Sequence, residues 1–86
     1  MPYAHPRDDL AAATPGELAD LAEAAMRSLA KTNDPAAFAH LLRLARIVGE
    51  CLGSAARNLA GERSWSGVAE IAGTTKQAAW ERWGKR

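Results

Sequence analysis

Four polar side chains near the C-terminal end carry the chemistry that stands out in this sequence. Thr75, Lys76 and Gln77 are consecutive, and Glu81 follows Gln77 by four positions. A Gln amide can donate and accept hydrogen bonds, a Lys ammonium has three donors, and a carboxylate accepts. These residue types at this spacing predict hydrogen bonding to a polar ligand, provided that a helix holds them together.

The residue types that most often catalyse reactions or bind metals form no such group. His40 has no second His or carboxylate at metal-ligand spacing, and His5 lies in a proline-containing N-terminal stretch. Cys51 is the single cysteine, which excludes an intrachain disulfide and a cysteine metal cluster, and its place on an apolar stripe is typical of inert packing. No nucleophile–base pair, phosphate-binding glycine loop or pocketed pair of carboxylates is apparent. We therefore expect no enzymatic activity, no cofactor and no metal.

Length and composition favour one small helical domain. The chain has 86 residues, of which 20 are alanine, with one Phe and one Tyr. Alanine favours helices, whereas strands are rich in β-branched and aromatic residues. A chain of this length has a marginal core, so association with a second copy is expected. No apolar run approaches the ~20 residues of a membrane span and no signal-peptide pattern opens the chain, so we expect a cytoplasmic protein that does not bind membranes.

The two ends of the chain differ in charge. Residues 1–56 carry five Lys or Arg against seven Asp or Glu, a net charge of −2, and residues 57–86 carry six against three, a net charge of +3. The two parts sum to the +1 of the whole chain. A mildly basic C-terminal part on an acidic scaffold indicates where a polyanion would bind.

Two proline-containing signals mark the starts of the first two helices. Thr14, Pro15 and Glu17 form a capping box with proline in the first turn, and Asp34 precedes Pro35 in the same way. The first helix is expected to end near residue 32. Its apolar side chains share one face, which we expect to cover one side of the second helix. That face consists of Leu18, Leu21, Ala22, Ala25 and Leu29.

The second helix is expected to run for about 25 residues, until Gly61 interrupts it. Its apolar positions alternate in steps of three and four, which is the spacing of a coiled-coil seam. Further apolar side chains widen this stripe, so a second copy of the chain would most economically cover it. Gly49 and Gly53, one turn apart, would permit a close approach of two helices. The predicted dimer interface consists of Phe38, Leu41, Leu42, Ala45, Val48, Gly49, Leu52 and Ala55.

The last third of the chain has the outline of a helix-turn-helix. Ser64 would cap a helix over residues 65–72, and Thr75 would cap the next one, which runs to about residue 83. Gly73 between them can adopt a positive φ. Small apolar contacts between the two helices are expected from Val68, Ala69 and Ala79. We therefore predict an all-α protein with a flexible N-terminal arm over residues 1–13, two scaffold and dimerisation helices over 14–60, and a C-terminal helix-turn-helix over 61–86.

The stretch over residues 65–83 resembles small helix-turn-helix DNA-binding proteins of actinobacteria. It reads Trp-Ser-Gly-Val-Ala-Glu-Ile-Ala-Gly-Thr-Thr-Lys-Gln-Ala-Ala-Trp-Glu-Arg-Trp. The family pattern is, in outline, Trp-Ala-Glu-Val-Gly-x-x-Leu-Gly-Thr-Thr-Arg-Gln-Ala-Ala-Trp-Glu-Arg-Phe. The resemblance implies DNA binding in transcriptional regulation, without catalysis. This chain departs from the pattern at Gly67, where an acidic residue is usual, at Ala72, where a core Leu is usual, and at Lys76, which replaces Arg.

This resemblance implies that the start of the last helix enters the major groove of double-stranded DNA. Gln77 would read adenine, Lys76 would reach guanine or a phosphate, and Ala78 would touch a thymine methyl. The basic residues around them would bind phosphates and set the register. The predicted DNA-binding residues are Thr74, Thr75, Lys76, Gln77, Ala78, Trp80, Glu81, Arg63, Arg82, Lys85 and Arg86.

Some of these residues have a second interpretation that the sequence leaves open. Gln77 could be a solvated helix residue, Glu81 could pair with Lys85, and Trp80 could join the other two tryptophans in the core. The function also has an alternative, which is a helical protein–protein interaction module that uses the long apolar helix. The expected partners are double-stranded DNA and a second copy of the chain in the first case, and a different protein in the second.

Overall fold

The protein is all-α over the part of the chain that its structure describes. The computed structural model describes residues 10–85, and none of these residues lies in a strand. Helix α1 spans Pro15–Ala30, helix α2 spans Pro35–Ala72 and helix α3 spans Lys76–Ala79, after which a π-helical turn covers Trp80–Gly84. The prediction of an all-α protein is therefore confirmed.

The predicted N-terminal arm, residues 1–13, lies for the most part outside the described residues. The structure describes it from Leu10 onward, and residues 10–12 form a single helical turn. The Ala13 N–H donates to the Leu10 carbonyl oxygen at 3.2 Å and closes this turn.

The chain divides into two compact units, and the boundary between them lies within α2. The first unit is Met1–Leu41 and the second is Leu42–Arg86. The first unit therefore holds α1 and the start of α2, and the second holds the rest of α2 and the elements that follow. The predicted division at residue 61 stays a prediction.

Local hydrogen bonds define both ends of α1. The Glu17 N–H donates to Thr14 Oγ1 at 3.2 Å and the Thr14 N–H donates to Glu17 Oε1 at 3.0 Å, so the predicted capping box is confirmed. The Thr14 backbone N–H, and after it the Thr14 side chain, lower the pKa of the Glu17 carboxyl, because both hydrogen bonds favour its ionised form. At the other end, the Lys31 N–H donates to the Ser28 carbonyl oxygen at 3.2 Å, just after the helix ends at Ala30.

The predicted apolar face of α1 is not buried. No residue of this helix is buried, and Leu21 on the face is 57 % exposed. Among the described residues of the first unit, the buried one is Ala37, at the start of α2. The expectation that this face covers one side of the second helix stays a prediction. The helix forms through its own caps and backbone hydrogen bonds, which need no packing partner.

Helix α2 begins as predicted and breaks later than predicted. The Ala36 N–H donates to Asp34 Oδ1 at 2.9 Å, so Asp34 caps the helix. The helix continues past Gly61, and its break lies at Ser64, where φ is 72° and ψ is 166°. The predicted end at Gly61 is therefore wrong, whereas Ser64, the residue predicted to precede the next helix, is the position of the break. A glycine inside a helix lowers helix stability by only ~1 kcal/mol relative to Ala. The hydrogen bonds of the neighbouring turns can therefore keep the helix intact at Gly61.

Small side chains build the core of the second unit. Its buried apolar residues are Ala56, Val68, Ala69 and Ala79, and Ala79 is 0 % exposed. Alanines let two helix backbones approach closely, so the contact gains dispersion energy although each side chain is small. Partly buried residues pack around this cluster, namely Leu59, Ala60, Trp65 and Trp83.

Candidate nucleic-acid interface

The turn that follows α2 is built on Gly73. Its φ is +70°, a left-handed conformation that glycine adopts without a steric cost. The Thr74 N–H donates to the Ala69 carbonyl oxygen at 3.0 Å, and the Gly73 N–H donates to the Glu70 carbonyl oxygen at 3.3 Å. This pair of hydrogen bonds is a Schellman motif with Gly73 as the C′ residue. The motif ends α2 and redirects the chain within two residues.

Thr75 caps α3, as predicted. Its backbone is extended, with φ −86° and ψ 157°, and its Oγ1 accepts from the Ala78 N–H at 3.1 Å. The Thr75 carbonyl oxygen accepts from the Ala79 N–H at 3.0 Å, which is the first helical hydrogen bond. After Ala79 the backbone hydrogen bonds change from α-helical to π-helical spacing. In the π-helical turn, the Lys85 N–H donates to the Trp80 carbonyl oxygen at 3.2 Å.

Ala79 is the residue of α3 that is buried. This alanine belongs to the same buried cluster as Val68 and Ala69 from the helix before the turn. All three residues were expected at this crossing. Because Ala79 is completely enclosed, α3 is anchored by one face, and the faces that carry Lys76 and Gln77 are exposed.

The polar side chains predicted to contact DNA are exposed, and two of them bond to each other. Gln77 Nε2 donates to Glu81 Oε1 at 3.3 Å, across one helical turn. Glu81 was expected to pair with Lys85, but the π-helical turn carries the Lys85 ammonium to 5.6 Å from the centroid of the Trp80 ring. Arg86 lies outside the described residues. The exposed members of the predicted set are Thr74, Thr75, Lys76, Gln77, Ala78, Trp80, Glu81, Arg63, Arg82 and Lys85.

The three tryptophans occupy two kinds of position. Trp65 and Trp83 are partly buried against the core, whereas Trp80 is 44 % exposed. Gly84 fits against two of the rings, because a Cβ on it would lie 2.6 Å from Trp80 Cδ1 and 3.0 Å from Trp65 Cζ2. The guanidinium of Arg82 lies 5.5 Å from the centroid of a Trp83 ring. These contacts leave Trp80 as the tryptophan that is accessible beside Gln77 and Glu81.

Sequence reasoning missed the contact that holds the C-terminal turn to α2. Arg57 Nη1 donates to the Trp83 carbonyl oxygen at 3.0 Å. Gly53 leaves room for this guanidinium, because a Cβ at that position would lie 3.1 Å from Arg57 Nη1. Gly53 therefore lies against a side chain of its own helix, whereas Gly49 has open space beside it. The signal was only a Gly and an Arg four residues apart, which is too common to interpret alone.

The backbone conformation at Ser64 also explains why a glycine fits at position 67, where the family pattern has an acidic residue. A Cβ on Gly67 would lie 2.9 Å from the Cβ of Arg63, closer than two such atoms pack. Arg63 precedes the left-handed residue and lies against the following turn of helix. A glycine at position 67 therefore fits the local geometry, whereas an acidic side chain would require the chain to shift.

The second unit has an apolar groove. The sequence did not predict this groove. Its volume is about 230 Å³, and no charged or polar side chain lines it. Ala72 is part of the lining at a position where the resemblance has Leu, so a shorter side chain leaves space there. Ile71, beside it, is 68 % exposed. The groove is lined by Leu52, Ala55, Ala56, Leu59, Val68, Ile71, Ala72 and Trp83.

The residues predicted at a dimer interface are mostly exposed in each unit. In the first unit, Phe38 is 65 % exposed and Leu41 is partly buried. In the second unit, the large exposed side chains are Leu42, Val48 and Leu52. The small members of the predicted interface are exposed as well, namely Ala45, Gly49 and Ala55.

Other kinds of site find little support in the described chain. No group of three or more His, Cys, Asp or Glu side chains within residues 10–85 could hold a metal ion. Cys51 is exposed, so the expectation that it packs in a core is wrong, because the core of this unit forms on another side of α2. Over the same residues, no helix has both the length and the apolar character needed to cross a membrane.

Comparisons of this chain with protein-family models, with curated proteins and with solved structures find no match. The resemblance to actinobacterial helix-turn-helix proteins therefore rests on the motif of residues 65–83 alone.

Proposed function

We propose that the chain is a sequence-specific DNA-binding transcriptional regulator that acts as a homodimer in the cytoplasm, with α3 in the major groove. The observation that carries this proposal is the arrangement of α3, in which Ala79 is enclosed and Lys76 and Gln77 are exposed. A helix that reads DNA must be anchored by one face and accessible on the other. The proposal includes no catalytic step and no cofactor.

The exposed side chains around α3 divide into base contacts and phosphate contacts. Gln77 is the base-reading residue, because its amide can donate and accept in one plane toward adenine. Lys76 reaches guanine or a phosphate as a point charge, without the two-pronged geometry of Arg. The outlying cations, Arg63, Arg82 and Lys85, bind phosphates and set the position of α3 along the groove.

A second copy of the chain is part of the proposal for two reasons. The net charge of +3 over residues 57–86 is modest for a DNA-binding protein, and two copies double it. Exposed large apolar side chains such as Leu42, Val48 and Leu52 in the second unit are the kind of surface that association covers. Two copies related by a two-fold axis would read a palindromic site with half-sites about one helical turn, or ~10 base pairs, apart.

Selection from random duplex DNA tests the proposal. The full chain is mixed with a random-sequence duplex library at a low and a high salt concentration, and the retained fragments are sequenced. We expect a two-fold motif whose recovery falls steeply with salt, because roughly six phosphate contacts in a dimer release counterions on binding. Absence of retention at low salt would contradict DNA binding.

A pair of substitutions separates base reading from phosphate binding. Gln77→Ala should lower affinity for the selected site by roughly 1–3 kcal/mol and relax the preference at one base position in each half-site. Lys76→Ala should weaken binding to selected and unrelated duplexes more evenly and reduce the salt dependence. Both side chains are exposed, so thermal unfolding should match that of the parent chain. Unchanged site preference in Gln77→Ala would remove the base-reading role.

The second candidate function is a protein–protein interaction module, and it is favoured by the exposure of Phe38, Leu42, Val48 and Leu52. Such a row of apolar side chains on a helix fits a groove or a helix of another protein. The selection experiment separates the two candidates. A chain that binds no duplex at low salt, but whose apolar row binds a partner protein with loss on Leu42→Asp, would support the interaction module.

A further inference from the structure

We infer that Glu81 orients the Gln77 amide for adenine and thereby determines specificity at the base that Gln77 reads. This inference rests on the proposed function and deepens it, because it adds a positioning residue to the base-reading one. The observation that carries it is a contact between two exposed side chains, in which Gln77 Nε2 donates to Glu81 Oε1 at 3.3 Å.

The Glu81 carboxylate decides which end of the Gln77 amide faces it. An ionised carboxylate only accepts hydrogen bonds, whereas a Gln amide has an oxygen that accepts and a nitrogen that donates. The Gln77 nitrogen therefore faces Glu81, and the Gln77 oxygen is directed elsewhere. Without such a partner, an exposed Gln amide turns between two orientations, because its terminal torsion is broad and roughly two-fold.

The contact with Glu81 leaves the Gln77 amide able to pair with adenine. A paired Gln–adenine contact uses the amide oxygen, which accepts from N6, and one amide N–H, which donates to N7. Because the amide nitrogen carries two N–H groups, one can donate to Glu81 while the other donates to adenine. In the opposite orientation the amide oxygen would face the carboxylate, and two acceptors cannot bond. Glu81 therefore fixes the orientation of the amide before DNA binds.

The two cations of the C-terminal turn lie against tryptophan rings, so the Glu81 carboxylate is available to Gln77. The Lys85 ammonium lies 5.6 Å from the centroid of the Trp80 ring, and the Arg82 guanidinium lies 5.5 Å from the centroid of a Trp83 ring. A carboxylate on a surface that faces DNA also repels phosphates. Removal of Glu81 should therefore change affinity and specificity in opposite directions, with tighter binding to unrelated duplexes and weaker discrimination among bases.

Fluorescence anisotropy with the full chain tests the inference. The probes are the selected duplex and three duplexes that each carry another base pair at the position where Gln77→Ala changes the preference. Glu81→Ala should reduce the preference for adenine there about three- to tenfold, because the amide loses its fixed orientation. Glu81→Gln keeps an acceptor oxygen and should restore part of the preference. The matched control is Glu70→Ala, which removes an exposed carboxylate of α2 and should keep the parent preference.

A double substitution separates positioning from direct reading by Glu81. A positioning residue acts through Gln77, so Glu81→Ala should change the preference at the same base position and should add nothing in a chain that already carries Gln77→Ala. A Glu81 that itself accepted a hydrogen bond from cytosine N4 would change the preference at another position, and the two losses would add. Additive losses, or a change of affinity by the same factor for all four duplexes, would overturn the inference.

The remaining outcomes separate failure of this inference from failure of the proposed function. A parent chain that selects a motif, with a Glu81→Ala variant of unchanged preference, would overturn the positioning role and leave DNA binding intact. Absence of retention on any duplex at low salt would overturn both.

NMR of the free chain tests the contact without DNA. Glu81→Ala should shift the side-chain N–H resonances of Gln77, and Glu70→Ala should leave them in place, because only Glu81 accepts from this amide. Resonances that Glu81→Ala leaves unchanged would overturn the inference whatever the chain binds.

Discussion

Helix α1 and the C-terminal turn region, residues 64–85, use their apolar side chains in opposite ways. The turn region encloses Ala79 completely and buries Val68 and Ala69, although these side chains are small. Helix α1 carries three leucines and buries none of its residues. The difference teaches that burial in this chain follows from how closely backbones approach, and not from the size of the side chains.

The largest expected effect comes from enlarging a side chain in each region. Ala79→Leu should lower the free energy of unfolding by about 2–3 kcal/mol, because an enclosed site has no room for three more carbon atoms. Ala25→Leu, on the exposed stripe of α1, should change it by less than about 0.5 kcal/mol. Urea unfolding followed by tryptophan fluorescence measures both. Equal effects of the two substitutions would contradict the contrast between the regions.

Glycine substitutions probe backbone conformation in the two regions. Gly73→Ala should cost about 1–2 kcal/mol, because Gly73 is left-handed with φ +70°. Gly16→Ala in the first turn of α1 should raise stability by up to ~1 kcal/mol, because nothing lies within 4 Å of the position that its Cβ would take and Ala is the better helix former. Thermal unfolding of the pair gives the sign of each effect. A stabilising Gly73→Ala would mean that the turn does not need a positive φ.

Ser64 stores strain in the turn region, and its replacement should release it. With φ 72° and ψ 166°, this residue occupies a region of backbone space that is essentially limited to glycine. Ser64→Gly should therefore raise the free energy of unfolding by about 1 kcal/mol. The matched change Ser66→Gly, in ordinary helix, should lower it by about 0.5 kcal/mol. Denaturant titration that finds both changes destabilising would argue against the break at Ser64.

The smallest effect concerns the pH dependence of α1. The two Thr14 hydrogen bonds lower the pKa of Glu17 in the folded chain, so the ionised carboxylate stabilises the capping box. That contribution is fully present above the ordinary value of 4.5 and is lost as the pH falls through the lower pKa of the folded state. Titration of the Glu17 carboxyl by NMR should place its midpoint below 4.5. Thr14→Ala should raise this midpoint only in part, because alanine removes the Thr14 side chain and keeps the backbone N–H that lowers the pKa most. A midpoint that Thr14→Ala leaves unchanged would count against the contribution of the Thr14 side chain.

Much of the local structure could be predicted from the sequence. The caps at Thr14, Asp34 and Thr75 form as expected, because a cap side chain bonds to a backbone N–H two or three residues away. The turn at Gly73 follows in the same way, since its two hydrogen bonds span five residues or fewer. The burial of Ala79 was expected from the helix-turn-helix outline, and the exposure of Gln77 was implied by the resemblance. The DNA-binding role of these residues stays a prediction.

Other features of the second unit could not be predicted from neighbouring residues. The Arg57–Trp83 hydrogen bond joins residues 26 positions apart, and a Cβ at position 53 would crowd the guanidinium that makes it. The fit of Gly84 against the Trp65 and Trp80 rings depends equally on distant chain segments.

Sequence and tertiary structure thus decided different things about this protein. The residue types and their short spacings determined an all-α chain, its helix starts and its glycine turn, because those depend on hydrogen bonds within a few residues. Only the tertiary structure decided that the helix continues past Gly61 as far as Ser64 and that a groove opens beside Ala72. The groove depends on how closely separate backbone segments approach, a quantity that side-chain periodicity along one helix does not contain.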